Sequence, residues 1–249
     1  MIELRNISLG YDKRILLKDV SANFRKGTTT ALIGRNGAGK STLLRAIVGF
    51  NKLIDGSILI NGADIDTIGS SKLAQQVAFV TTERVRISNL ACKDVVALGR
   101  APYTNWIGRM RNEDEQIVIE SLEKVGMEAY ANRTMDRMSD GECQRIMIAR
   151  ALAQKTPVIL LDEPTSFLDM PNRYELCHLL QDLAHNEAKC IIYSTHELDI
   201  ATSICDTIAL IDSPSMYHLE AGEMVESGHI EKMFPLKVAD KALRRNTVL

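Results

Sequence analysis

Residues 34–41 read Gly34-Arg35-Asn36-Gly37-Ala38-Gly39-Lys40-Ser41 and satisfy the pattern G-x-x-x-x-G-K-[ST] at every fixed position. Their flanks agree with it. Thr29-Thr30-Ala31-Leu32-Ile33 reads as a short buried strand, and Thr42-Leu43-Leu44-Arg45-Ala46-Ile47-Val48 as a helix. A strand, a glycine-rich loop and a helix in this order constrain the chain to an α/β architecture. The glycines let the backbone wrap around a polyphosphate with its N–H groups turned inward, and the helix start adds positive partial charge. Lys40 is then placed to reach the β- and γ-phosphates, and the Ser41 hydroxyl to ligate Mg²⁺. The expectation is a nucleoside-triphosphate site whose phosphate-binding set is Gly34, Arg35, Asn36, Gly37, Ala38, Gly39, Lys40, Ser41 and Thr42.

At 249 residues the chain has room for one large α/β domain, or a core with a smaller insertion. A formal net charge of −2 gives no global attraction to nucleic acid or anionic lipid. The five cysteines are far apart with no C-x-x-C pair, and the five histidines lack metal-ligand spacing. That pattern fits reduced thiols rather than a zinc or iron–sulfur motif. No apolar run approaches the roughly 18 residues that cross a bilayer, and Met1-Ile2-Glu3-Leu4-Arg5 does not open a signal peptide. The chain is expected to be soluble by itself, and work at a membrane would need another subunit to hold it there.

The first thirty residues read as β structure, with strands over Ile2–Leu9 and Leu16–Phe24 around a Gly10-Tyr11-Asp12-Lys13 turn. Ser57–Ile60, closed by Asn61-Gly62, and Val77–Val80 are further strands. From about Asp94 to Gln154 the pattern turns helical, with helices over Asp94–Leu98, Glu113–Val125 and Glu142–Ala153. The loop from Gly99 to Gly108 separates the first two. Short apolar strands then resume at Val158–Leu161, Cys190–Ser194 and Thr207–Ile211, with a helix at Arg173–Ala184. Such alternation implies a mainly parallel sheet covered on both faces. Edge strands are expected at Met216–Leu219 and Glu223–Ser227, followed by a weakly patterned tail from about Gly228. The chain is read as a single domain, 1–249, with an α/β core at about 1–93 and 155–249 and an inserted helical subdomain at about 94–154.

Asp162 and Glu163 end the apolar run Val158-Ile159-Leu160-Leu161. Strand ends of this kind are where α/β proteins bind ligands. Asp162 is placed to hold Mg²⁺ through water, and Glu163 to orient or deprotonate an attacking water.

Met138-Ser139-Asp140-Gly141-Glu142-Cys143-Gln144-Arg145 resembles the signature motif of ABC-transporter ATPases, usually Leu-Ser-Gly-Gly-Gln. Ser166-Phe167-Leu168-Asp169 looks like that family's D-loop, and Ser194-Thr195-His196-Glu197 like its switch loop. Tyr11 occupies the position of the aromatic residue that stacks on adenine. The resemblance covers nearly the whole chain, with the motifs in order. It implies a P-loop NTPase core with a mainly parallel sheet, an N-terminal antiparallel β portion and an inserted helical subdomain. It also implies ATP and Mg²⁺ as ligands and a head-to-tail homodimer, with each ATP between the phosphate loop of one copy and Ser139, Gly141 and Glu142 of the other. His196 is then expected at the γ-phosphate, Asp169 between the two sites, and Lys40, Glu163 and His196 as the catalytic set.

Two positions depart from the family pattern. Thr82 stands where a glutamine near Mg²⁺ is usual, leaving Thr82 or its neighbour Glu83 to reach the metal. Asp140 replaces the first signature glycine and is expected to point outward, away from the γ-phosphate.

Val95-Val96-Ala97-Leu98-Gly99-Arg100-Ala101-Pro102-Tyr103, followed by Gly108, is similar to the helical subdomain of importers of ferric siderophores, haem and cobalamin. That likeness implies an ATP-hydrolysing subunit on the cytoplasmic face of the inner membrane, bound to a separate integral-membrane permease. A substrate-binding receptor would act indirectly, and no nucleic-acid partner is expected. Tyr103 and Trp106 are read as permease contacts. The rival reading is a soluble ABC-type ATPase that assists iron–sulfur cluster assembly; a third is a slow site used mainly for ATP-gated binding.

Overall fold

The computed structural model describes residues 1–11, 14–83, 88–104 and 110–235. Strand β1 (Ile2–Tyr11) buries Ile2, Leu4, Ile7 and Leu9 and pairs antiparallel with β2 (Arg14–Phe24). β3 (Thr28–Gly34) runs into the phosphate loop, and α1 (Lys40–Ile47) leaves it. β4 (Asp55–Ile60) turns through Asn61 and Gly62, both at positive φ, into the short β5 (Ala63–Asp64). α2 (Ser70–Ala74) and β6 (Val77–Val80) follow.

The helical stretch comprises α3 (Cys92–Ala97), a 3-10 helix over Leu98–Tyr103, α4 (Asn112–Lys124) and α5 (Asp140–Ala153). Then come β7 (Val158–Leu161), α6 (Met170–Glu187), β8 (Cys190–Ser194), α7 (Leu198–Ser203), β9 (Thr207–Asp212) and β10 (Ser215–Glu220). α8 (Ala221–Glu226) and α9 (His229–Met233) complete the described chain.

Two sheets result. β2-β1-β4-β5 is antiparallel; β10-β9-β3-β8-β7-β6 is parallel except for the β10 edge. The parallel strands are buried on both faces, and their side chains alternate between two cores. Leu32, Val158 and Leu160 join α1 and the antiparallel sheet on one side. Ala31, Ile33, Ile159 and Leu161 join α3, α4, α5 and α6 on the other. The helices of the 92–153 stretch therefore share a core with the sheet that carries the phosphate loop.

Two differences from the sequence reading have clear causes. Glu223–Ser227 is not an edge strand; it overlaps the helix α8. Ala221 and Met224, three apart, are its buried residues, while Val225 faces solvent, which is helical rather than alternating burial. The start of the Gly99–Gly108 loop is a 3-10 helix pressed onto α5. A Cβ on Gly99 would lie 2.2 Å from the Arg150 carbonyl oxygen. Beside it the Arg100 guanidinium is buried, bonding Asp114 Oδ1 and the Ala153 carbonyl oxygen, each at 2.8 Å.

Candidate functional site

The phosphate loop is shaped for an anion before any ligand arrives. Gly39, at φ 111°, turns the chain into α1, whose start has no side-chain cap and no acidic residue in its first turn. Its first N–H groups keep their positive partial charge for a ligand. Lys40 is only 6% exposed, and its ammonium donates to the Gly34 carbonyl at 3.1 Å. Burial pushes the Lys40 pKa down, against the upward pull of Glu163 and Asp162. The loop borders a cavity of about 420 Å³ lined by Tyr11, Arg14, Asn36, Gly39, Lys40, Ser41, Thr42 and Glu163, among others. Tyr11 is half exposed at this cavity, and its hydroxyl donates to Thr42 Oγ1 at 3.3 Å while accepting from Asn51 at 3.1 Å.

The carboxylates at the end of β7 meet the loop directly. Asp162 Oδ1 accepts the Ser41 hydroxyl at 3.0 Å and the Ser194 hydroxyl at 2.7 Å. The backbone N–H of Asp162 donates to the Val80 carbonyl at 2.8 Å, and its carbonyl accepts the Thr82 hydroxyl at 2.9 Å. Thr82 thus holds the backbone of the strand end, while Glu83 is exposed and faces Arg45 at 3.6 Å. Glu163 has φ 50°, in the left-handed region that non-glycine residues rarely enter. Such strain persists where the surroundings fix it and concentrates at functional sites. His196 Nε2 is 2.8 Å from Glu163 Oε1, which makes it the donor to that carboxylate; Lys40 Nζ is 3.5 Å from the same nitrogen. Ser41 bonds Asp162 and His196 bonds the adjacent Glu163, so these four form one connected group with the Lys40 ammonium beside it.

The signature segment is a helix start. Ser139 caps α5, and the Glu142 carboxylate accepts both the Ser139 N–H (2.7 Å) and its hydroxyl (2.8 Å). This is a reciprocal capping box. Asp140 opens the first turn, and a Cβ on Gly141 would come within 3.0 Å of Leu168 Cδ2, so this segment packs against the D-loop. Asp169 caps α6 by accepting the Asn172 N–H at 3.2 Å. Arg145 of α5 donates to Asn172 Oδ1 (2.9 Å) and Glu175 (2.7 Å), joining the two helices.

Sequence reasoning missed several groups here. Arg14, which donates to the Gly37 carbonyl at 3.2 Å, carries no motif of its own, and Ser194 and Arg145, though inside the switch-loop and signature segments, are given no role by their sequence. Arg35 donates to the Met233 carbonyl at 3.0 Å, tying the phosphate loop to α9. Tyr103 stacks under the Arg100 guanidinium at 4.1 Å from the ring centroid and is 37% exposed. Trp106 and Gly108 lie outside the described residues.

A family model described as ABC transporter matches residues 17–166, which is more than half of the chain. The chain belongs to that family. It is an ABC-type ATPase, and the P-loop core, mixed sheet arrangement and helices are those of that fold. An uncharacterized ABC transporter ATP-binding protein of Methanocaldococcus jannaschii is 42% identical over 85% of this chain and 73% of its own length. The achromobactin transport ATP-binding protein of Dickeya dadantii is 33% identical over 94% of this chain and 88% of its own. Among solved structures, an inward-facing transporter assigned to the metal-chelate type superposes with a TM-score of 0.83 at 27% identity, covering 94% of this ABC ATPase and 89% of that chain. A dimeric ATP-binding cassette holding ADP and phosphate superposes with a TM-score of 0.77 at 27% identity, over 89% of this chain and 99% of that one.

Proposed function

We propose that this ABC ATPase hydrolyses ATP to power import of an iron chelate, haem or cobalamin through a separate membrane permease. The observation that carries the reading is the set of relatives: besides the achromobactin protein, an iron(3+)-hydroxamate import ATP-binding protein of Bacillus subtilis is 32% identical over 94% of this chain and 84% of its own. These are transport proteins, which favours import over the soluble iron–sulfur reading. No described helix is long and apolar enough to cross a membrane, and the proposed place of work is the cytoplasmic face, held by the permease. Residues 94–154 are the proposed helical subdomain, with Tyr103 offering its exposed edge to the permease.

The geometry supports a role for each residue in this reading. Lys40 and the uncapped start of α1 bind the phosphates, and Tyr11 holds the adenine side of the cavity. Ser41 and Asp162 are hard oxygen donors brought together by one hydrogen bond, a donor set that suits Mg²⁺ shared with phosphate oxygens. The chemistry Mg²⁺ supplies when bound is neutralisation of charge on the β- and γ-phosphates. Glu163 orients and deprotonates the attacking water, and His196, bonded to Glu163, faces the γ-phosphate. Ser139 and Gly141 at the start of α5 serve the ATP of a second copy, giving a dimer that ATP closes. The test is ATP turnover and dimerisation of the chain beside Glu163→Gln, with Mg²⁺. The wild type is expected to hydrolyse ATP, and the variant to bind it and accumulate as a dimer. A variant that turns over ATP at the wild-type rate would remove Glu163 from this role.

A further inference from the structure

Ser194 ends β8 with no exposed surface, and its single hydroxyl touches both carboxylate residues at the end of β7. It accepts the Glu163 N–H at 2.8 Å and donates to Asp162 Oδ1 at 2.7 Å. The two bonds are compatible, because one uses a lone pair and the other the only proton. We infer that Ser194 is a positioning residue for hydrolysis, which aims the Asp162 carboxylate and pins the strained Glu163 backbone. The inference rests on the proposed roles of Asp162 and Glu163.

Three observations carry it. Glu163 is held at both ends by serines: its N–H by Ser194, and its carbonyl by the Ser166 hydroxyl at 2.8 Å. A left-handed glutamate persists because such contacts over-determine it. Next, Asp162 Oδ1 has two hydroxyl donors of different kinds. Ser41 closes the phosphate loop at the start of α1 and lines the cavity. Ser194 belongs to a core strand, and the next N–H, that of Thr195, is fixed to the Leu32 carbonyl at 3.2 Å. The aim of the carboxylate is therefore set by the core rather than by the loop it serves. Finally, the contacts close a ring: Glu163 N–H to Ser194, along the chain through Thr195 to His196, and from His196 Nε2 back to Glu163 Oε1 at 2.8 Å. Removing the Ser194 hydroxyl opens that ring and leaves the partly buried Glu163 N–H without this partner.

The experiment uses the full chain with Ser194→Ala and Ser194→Thr, and with Ser194→Cys as a near-isosteric variant whose thiol bonds weakly. Affinity for Mn²⁺ in the presence of ADP is read by electron paramagnetic resonance, ATP binding without divalent metal by fluorescence, and amide exchange in the peptide containing Glu163 by mass spectrometry. In Ser194→Ala, Mn²⁺ affinity and kcat are each expected to fall about 10-fold or more, the cost typical of losing a group that orients a metal ligand. Metal-free ATP binding and KM stay close to wild type, exchange at Glu163 accelerates, and Ser194→Thr recovers most of the loss. If the alanine variant does not fold, Ser194→Cys decides by the same readouts. Wild-type Mn²⁺ affinity and kcat in the folded alanine or cysteine variant would overturn the inference, and so would loss of metal-free ATP binding in step with metal affinity. Glu163→Gln runs in parallel. If it keeps full turnover, the parent reading fails, while Mn²⁺ affinity and amide exchange still judge Ser194.

Discussion

The Lys40 ammonium lies 3.1 Å from the Gly34 carbonyl oxygen, so the lysine of the phosphate loop is bonded to the loop's first residue. The loop is thereby closed on itself around a nearly buried positive charge. The His196 ring nitrogen lies 3.5 Å away, but with its proton given to Glu163 it does not accept from Lys40. A charge held this way is poorly solvated, and a polyphosphate relieves the deficit. Binding strength is stored as a cost to the empty fold.

That cost has a definite sign with pH. The folded-state pKa of Lys40 is below its ordinary 10.5, chiefly through burial. Folding therefore disfavours the protonated form, and the penalty is present at neutral pH and fades as pH rises from the lowered value to 10.5. Lys40→Met is expected to raise the melting temperature of the nucleotide-free protein at pH 7 by about 2–4 °C. The same variant should lose the upward shift that ATP gives the wild type. Calorimetry with and without ATP checks both, and a lower melting temperature in the empty variant would contradict the argument.

The buried Arg100–Asp114 pair is the main polar lock between the 3-10 helix and α4. Asp114 has its pKa pulled below the ordinary 3.8, first by the Arg111 backbone N–H and also by Arg100, against the opposing effect of burial. Its contribution to stability is complete above 3.8 and is lost only as pH falls through the lower folded value. Arg100→Ala strands the carboxylate and is expected to cost about 3–5 kcal/mol. Asp114→Asn is expected to flatten the acid limb of the stability curve below pH 3.8. Urea unfolding at a series of pH values measures both effects.

Much of this was legible because the chemistry is written in contiguous motifs. The phosphate loop, the Asp162-Glu163 strand end and the Ser194-Thr195-His196 turn each sit where a buried strand stops, and apolar runs mark those strands. Val77–Val80, Val158–Leu161 and Cys190–Ser194 have the bounds that their sequences indicate. The contacts that were missed act across long sequence separations. Ser194 reads as the last residue of an apolar strand, and only the parallel pairing of β7 with β8 brings its hydroxyl to Asp162. Arg35 meets Met233 in a tail with no periodicity to predict a partner. The short α2 and α7 lack a full period of apolar residues, and α8 contains the Met224-Val225 pair that mimics a strand.

All five cysteines are buried, none above 7% exposed. Burial pushes the thiols of Cys190 and Cys205 up to about 12 and that of Cys177 up to about 11. Thiolate is the reactive form, so both access and ionisation protect these side chains. Iodoacetamide at pH 8 is expected to leave the native protein unmodified and to label all five after denaturation in guanidinium. Rapid labelling of Cys143 alone in the native state would reveal opening at the signature helix, which carries it.

Two glycine substitutions separate close packing from helix propensity. At Gly99 a Cβ would meet the Arg150 carbonyl oxygen at 2.2 Å and the Ala153 Cβ at 3.2 Å, both on α5. Backbone cannot swing aside as a flexible side chain can. Gly99→Ala must lift the 3-10 helix from α5 and disturb Arg100, whose guanidinium reaches the Ala153 carbonyl. A loss of about 1–3 kcal/mol is expected. Gly222 sits inside α8 with nothing within 4 Å of its added Cβ. There the change acts on the backbone alone, and Gly222→Ala is expected to gain about 0.5–1 kcal/mol. Chemical denaturation of the two variants side by side therefore sets the close contact at α5 against an open position in α8.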